Sequence, residues 1–194
     1  AASDVYKRQE QNMSLRNASP SMDHWFGTDR MGRDIFVRIL FGARISLAVG
    51  CLAAVINLIV GTIYGGIAGY VGGKVDMVMM RIVDIIYSVP AMLYIVLIML
   101  IFGASVISIM LGISITCWID MARIVRQQVK SLKEQEFTMA AFVLGASPSR
   151  ILIKHLLINT MGQIIVTVTL MVPQAIFTEA WLSFLGVGIS APMA

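Results

Sequence analysis

The chain has 194 residues, of which 58% are hydrophobic and 13% charged, and its mean hydropathy is +0.82. Soluble domains carry about a quarter charged residues, so this composition excludes an ordinary soluble enzyme and points to a polytopic membrane protein. The net charge of +4 lies beside apolar runs with no aromatic-interleaved basic patch, which excludes a nucleic-acid partner and suggests contact with anionic membrane lipid.

Residues 1–9, Ala1-Ala-Ser-Asp-Val-Tyr-Lys-Arg-Gln9, have neither a helical stripe nor the apolar core of a signal peptide. They read as a foreign leader, and 1–22 is expected to be unstructured. Gly27-Thr-Asp-Arg-Met-Gly-Arg-Asp34 has turn and cap chemistry. Thr28 or Asp29 is expected to begin an interfacial amphipathic helix carrying Ile35, Phe36, Ile39 and Leu40, with Arg44 snorkelling. Residues 23–44 are thus an extracytoplasmic segment ahead of a transmembrane domain over 45–190.

Ile45 to Gly73 is free of charge, enough for one crossing of about 20 residues. Gly61, Gly65, Gly66, Ala68 and Gly69 favour close helix contact there. Lys74, Asp76 and Arg81 mark a short loop. A second span is expected over Met79–Ile101 with a kink at Pro90, and a third over Val106–Arg123, continuing as a polar helix through Lys133. The fourth covers Leu156–Thr178, with Pro173 near its far end and Trp181 as an interfacial anchor. Between the third and fourth lies a hydrophilic loop, 124–154.

Within that loop, Phe137, Ala140, Ala141 and Leu144 fall at i, i+3, i+4 and i+7 and share a helical face. Gly145 is expected to stop the helix with positive φ, Ser147 to cap the next one and Pro148 to occupy its first turn. A short helix with a small apolar face outside the bilayer is a docking surface for another protein. Orientation follows from Lys74, Arg81, Arg123, Arg126, Lys130, Lys133, Arg150 and Lys154, all on this loop's side, against no lysine or arginine in 102–105 or after Glu179. The imbalance places the loop in the cytoplasm. The first 44 residues, with seven lysines and arginines, run against the rule; removing the leader takes two, and a preceding span would export the rest.

Chemistry of the chain's own is not indicated. Val71-Gly-Gly-Lys-Val75 fails as a phosphate loop, because Ala68 stands where its first glycine belongs and Val75 replaces the magnesium-binding hydroxyl. Ser105, Ser114 and Ser147 lack a nucleophile-elbow setting. Cys51 and Cys117 lie in apolar runs, and His24 and His155 are far apart, so neither a disulfide framework nor a metal site is read. No cofactor is expected. Asp84 and Asp120 at the membrane edge read as local ion pairs, Arg81 with Asp84 and Asp120 with Arg123. The competing reading uses Asp84 and Asp120 to bind a coupling ion in a secondary transporter or channel. Glu179 could line a solute path.

Three stretches carry a resemblance. His24-Trp-Phe-Gly-Thr-Asp29 with Gly32-Arg-Asp34 and Gly42-Ala-Arg-Ile-Ser-Leu47 is the first. Gly69-Tyr-Val-Gly-Gly-Lys-Val-Asp76 with Met80-Arg-Ile-Val-Asp84 is the second. Trp118-Ile-Asp-Met-Ala-Arg-Ile-Val-Arg126 leads into the cytoplasmic loop, and Ser183-Phe-Leu-Gly-Val-Gly188 closes the set. Over about 23–190 the chain resembles the oligopeptide and dipeptide importer permeases of the binding-protein-dependent ABC transporters, of the C type. The family's loop pattern is Glu-Ala-Ala, three residues, Gly, nine residues and Ile-x-Leu-Pro. Ala140, Ala141, Gly145 and Leu157 match it, whereas Met139, His155 and Ile158 depart from it. The resemblance implies an all-α, type I importer membrane fold with four of six spans in this sequence. It also implies a bacterial inner-membrane subunit that is not an enzyme and imports oligopeptides. Its partners would be a second homologous permease, two ATP-binding subunits and an extracytoplasmic peptide-binding protein. Coupling to the ATPases would run through Phe137, Ala140, Ala141, Leu144 and Gly145.

Overall fold

Inside a bilayer the backbone must satisfy its own hydrogen bonds, so a long apolar run folds as helix. The computed structural model describes residues 13–103 and 105–184, and among them the regular structure is helical. The chain forms two compact units, one over residues up to Ala48 and the other over Val49–Gly188.

Helix α1 starts in the first unit at Ile35 and runs to Ile56, its residues from Val49 onward belonging to the second. Its cap is Asp34, whose carboxylate accepts the Val37 N–H at 3.2 Å. The expected starters are committed elsewhere. Thr28 donates its hydroxyl to the Leu15 carbonyl and accepts the Ala18 N–H at 2.9 Å. Asp29 accepts N–H groups of Met31 (2.8 Å) and Arg33 (3.0 Å), and pairs with Arg33 at 2.9 Å and Arg38 at 2.7 Å. The helix carrying Ile35, Phe36, Ile39 and Leu40 therefore begins at Ile35 instead of at Thr28 or Asp29, and a hydrogen-bonded turn precedes it. Part of the segment expected to be unstructured is folded too: Met13–Leu15 is a 3₁₀ turn, and Asn17 N–H donates to the Asp29 carbonyl at 3.1 Å. Residues 1–12 lie outside the described residues.

After α1 the chain takes a π-turn over Asn57–Gly61 and continues as α2, Thr62–Val71. The expected charged loop at 74–81 is helical: only Gly72 separates α2 from α3, Gly73–Ser88. A glycine fits there because φ is +71°. The second span is a broken pair, α3 followed by α4 (Ala91–Phe102), bent by 73°. Pro90 breaks this span instead of kinking it, because proline drives the residue before it into extended backbone; Val89 sits at φ −94°, ψ 125°. Next come α5 (Val106–Thr116) and α6 (Ile119–Lys133), a 28-residue run with a single turn between them. Then follow α7 (Glu136–Val143), α8 (Pro148–Arg150), a π-helical stretch over Ile151–Leu157, and α9 (Ile158–Phe184).

Among the described residues three helical runs are long and apolar enough to cross a membrane, or up to four with the bent pair counted as one. That is the expected multi-pass architecture. Its centre is the packing of α2 on α6. A Cβ on Gly65 would fall 2.3 Å from the Ala122 carbonyl oxygen, so only glycine permits this approach. Gly61 and Gly69, one turn away on either side, meet Met121 and Arg126 in the same way.

Candidate functional site

Helix α7 is held in place at both ends by its own sequence. At its start, the Thr138 hydroxyl donates to the Leu132 carbonyl on α6 at 2.8 Å, closing the corner between the two helices. At its end, the Ala146 N–H reaches the Ala141 carbonyl (3.1 Å) and the Gly145 N–H reaches Phe142 (3.0 Å). This double bond pattern needs a left-handed residue, and Gly145 has φ +78°. Ser147 then accepts the Arg150 N–H at 3.4 Å, with Pro148 opening α8. The helix–glycine–helix expectation is met residue for residue.

The orientation of α7 differs from the stripe read in the sequence. Thr138 and Ala141 face inward; Ala141, 9% exposed, joins Met121, Val125, Val129, Ile151, Leu156 and Ile164 in one buried cluster. Phe137, Ala140 and Leu144 face outward, as do Met139, Phe142 and Val143. The physical reason is the Thr138 bond, which rotates that side of the helix onto α6. Ala141 thus anchors the helix, while Val143 at 83% and Leu144 at 86% exposure form its most open apolar surface. Charged and polar residues bracket this patch: Lys133, Glu134, Gln135 and Glu136 before it, Ser147, Ser149 and Arg150 after it. An exposed apolar patch between such polar flanks is the kind of surface that meets a protein partner or a membrane.

Behind α7, a row of bases on α6 at i, i+4 and i+7 grips the corner of α2 and α3. Buried Asp76 accepts from two of the Arg126 guanidinium nitrogens, Nε and Nη2, the latter at 2.7 Å, and from Lys130 at 3.3 Å. Lys133 donates to the Tyr70 carbonyl at 2.6 Å and lies 5.2 Å above the Tyr70 ring. The sequence reading took Asp76 for a loop marker; the signal available was the shared face of Arg126, Lys130 and Lys133.

The membrane-edge pairs also run differently. Arg123 pairs with Asp84 across 39 residues, at 2.9 Å, and stacks 4.3 Å over the Tyr87 ring. Neither Arg81 with Asp84 nor Asp120 with Arg123 forms an ion pair among the described residues. An arginine three residues along its own helix competes with one that reaches across from another helix, and here the cross-helix pair forms. Asp84 is neutralised by Arg123, and Asp120 lines a different cavity, so the two do not form the ion-binding pair of the competing reading. Glu179 is buried on α9. The expected outer-loop match at 183–188 falls from residue 185 onward outside the described residues.

In the first unit, partial burial alone would raise the Asp29 carboxyl, but the N–H groups of Arg33 and Met31 and the Arg33 guanidinium outweigh it and hold the group down at about 2. Asp34 bonds His24 at 2.9 Å, and Trp25 and Phe26 pack on Phe36 with centroids 5.0 and 5.4 Å apart.

Residues 61–194 match the model of the binding-protein-dependent transport system inner membrane component family. The chain is 51% identical over 189 residues to the oligopeptide transport system permease protein OppC of Bacillus subtilis, covering 97% of this chain and 62% of that protein. It is 51% identical over 184 residues to the dipeptide transport system permease protein DppC of the same organism, covering 95% and 58%. OppC of Escherichia coli is 45% identical over 183 residues, covering 93% and 61%. The chain spans about three-fifths of the length of these relatives. With its helical spans and a family match over most of its length, the chain belongs to the binding-protein-dependent transport system inner membrane components.

Proposed function

We propose that this chain is the membrane-spanning part of a permease subunit in an ATP-driven importer of oligopeptides or dipeptides, and that α7 is the element through which ATPase subunits drive it. The observation that carries the reading is α7 itself: an apolar surface on a helix pinned to α6 by Thr138 and Ala141. A partner gripping Phe137, Ala140, Val143 and Leu144 moves the whole corner, since α6 is tied in turn to α3 by Asp76 and Asp84. The names of the oligopeptide and dipeptide relatives support the substrate class.

In this cycle ATP binding draws two ATP-binding subunits together, and α7 passes their displacement to the spans. A second homologous permease completes the path, and an extracytoplasmic peptide-binding protein delivers the solute. The chain has no hydrolytic role; each ligand acts by favouring one of two access states. The test is co-purification of the full-length permease with its ATP-binding subunits, followed by ATPase and uptake assays. Retained assembly and uptake in a Leu144→Asp, Val143→Asp variant would defeat the proposal.

A further inference from the structure

The bend between α3 and α4 opens a cavity of about 470 Å³, within the range of about 300–1,000 Å³ usual for small-molecule sites. Its polar wall is made by Tyr87, Ser88, Thr116, Asp120, Gln174 and Thr178; the remaining wall is aliphatic, with the Cys117 thiol and the Met171 thioether. Asp120 is the single charged side chain among these lining residues.

Two observations define the ligand. Arg123, the cation nearest to Asp120 in sequence, is committed to Asp84 and the Tyr87 ring, so the Asp120 carboxylate has no ion-pair partner among the described residues. Asp120 is exposed on the first turn of α6, and an ionisable group beside a span with no cation to pair with is a common mark of a solute path. The hydroxyls point the same way. Ser88 donates to the Ile85 carbonyl (2.7 Å), Thr116 to Ile113 (3.4 Å) and Thr178 to Gln174 (2.9 Å). With their protons spent on helix carbonyls, these three oxygens present acceptor lone pairs, beside the Tyr87 hydroxyl and the Gln174 amide, which can both donate and accept. Several acceptors around one negative charge suit a compact cation with several N–H donors.

We propose that this cavity is a station on the import path that takes a primary ammonium group of a passing peptide, with Asp120 as its counter-ion. The proposal rests on the importer reading for the identity of the solute, but the charge and donor preference belong to the cavity itself.

The experiment uses the full-length permease in proteoliposomes, with Cys51 and Cys117 replaced by alanine and Gln174→Cys as the reporter. Labelling rates are compared for aminoethyl and sulfonatoethyl methanethiosulfonate. Asp120→Asn should lower the cationic-to-anionic rate ratio about fivefold, the scale expected for one nearby charge in a partly wet site, and Asp120→Glu should retain it. Tri-alanine should slow cationic labelling in the parent and not in Asp120→Asn, while N-acetyl-tri-alanine should have no effect. Protection by an N-acetylated, lysine-containing tripeptide but not by tri-alanine would assign the ammonium to a side chain. An unchanged ratio, no labelling at all, or no protection by either amine would overturn the proposal. Failure of the importer reading shows separately, as absent ATP-dependent peptide uptake by the assembled parent system.

Discussion

Arg123 bypasses the carboxylate three residues away on its own helix and donates to Asp84 on α3 at 2.9 Å. One guanidinium thereby cross-links two helices, and Asp120 is left facing a cavity. The pair is partly exposed, with side-chain exposures of 36% and 56%, so its worth is modest, about 0.5 kcal/mol. Arg123→Asp should lower uptake, and the exchange Arg123→Asp with Asp84→Arg should restore most of it. A double-mutant cycle on thermal unfolding in detergent measures the coupling.

Asp76 should be far less forgiving. It is buried and takes three charged donors, two from Arg126 and one from Lys130. Asp76→Asn removes the charge that those bases share and should cost about 2 kcal/mol, the scale of charge-assisted bonds, with Arg126 and Lys130 partly exposed and so partly compensated by water. A lowered melting temperature that Asp76→Glu only partly restores checks it.

The α2–α6 contact predicts a contrast between two glycines. Gly65→Ala places a methyl carbon 2.3 Å from backbone oxygen and should destabilise by about 1–3 kcal/mol through forced separation of the helices. Gly162→Ala on α9 meets nothing within 4 Å and should be neutral or stabilise by up to about 1 kcal/mol. Unfolding of both variants in one detergent compares them directly.

On α7, packing and docking should separate by residue. Ala141→Asp buries a charge against Val125, Val129 and Leu156, and should lower thermal stability before any effect on partners. Leu144→Asp, on an 86% exposed position, should leave stability unchanged and abolish ATPase association. Gly145→Ala, at φ +78°, should cost about 1 kcal/mol through backbone strain. Melting temperature and pull-down, measured side by side, distinguish the three.

The Asp29 turn is acid-sensitive in a stated window. Its carboxyl sits at about 2, below the ordinary 3.8, so its stabilising effect is complete above pH 3.8 and is lost as pH falls through 2. A carboxyl-carbon NMR titration should place the Asp29 midpoint near 2, and Asp29→Asn should remove that contribution to acid stability.

Local signals were the legible ones. Gly145, Ser147 and Pro148 act through their own backbone, and each does what its chemistry dictates. Charge-free runs likewise marked the spans, because water exclusion leaves helix as the backbone's one solution. What escaped the sequence reading depended on neighbours distant in the chain. The inward turn of Ala141 is set by a Thr138 bond to α6, and the destination of Arg123 by where the fold places Asp84 on α3. The start of α1 was misplaced because Thr28 and Asp29 are good caps by composition but are consumed by Leu15, Ala18, Arg33 and Arg38. The break at Pro90 was visible, but its 73° angle depends on tertiary packing.

The central claim is that the exposed face of α7 looks into the cell and is gripped there. A single cysteine at Leu144, in an otherwise cysteine-free full-length permease, is exposed to a membrane-impermeant maleimide in intact cells and in inverted vesicles. The account predicts no labelling from outside, ready labelling in inverted vesicles, and protection once the ATP-binding subunits are added. Ready labelling in intact cells would contradict it.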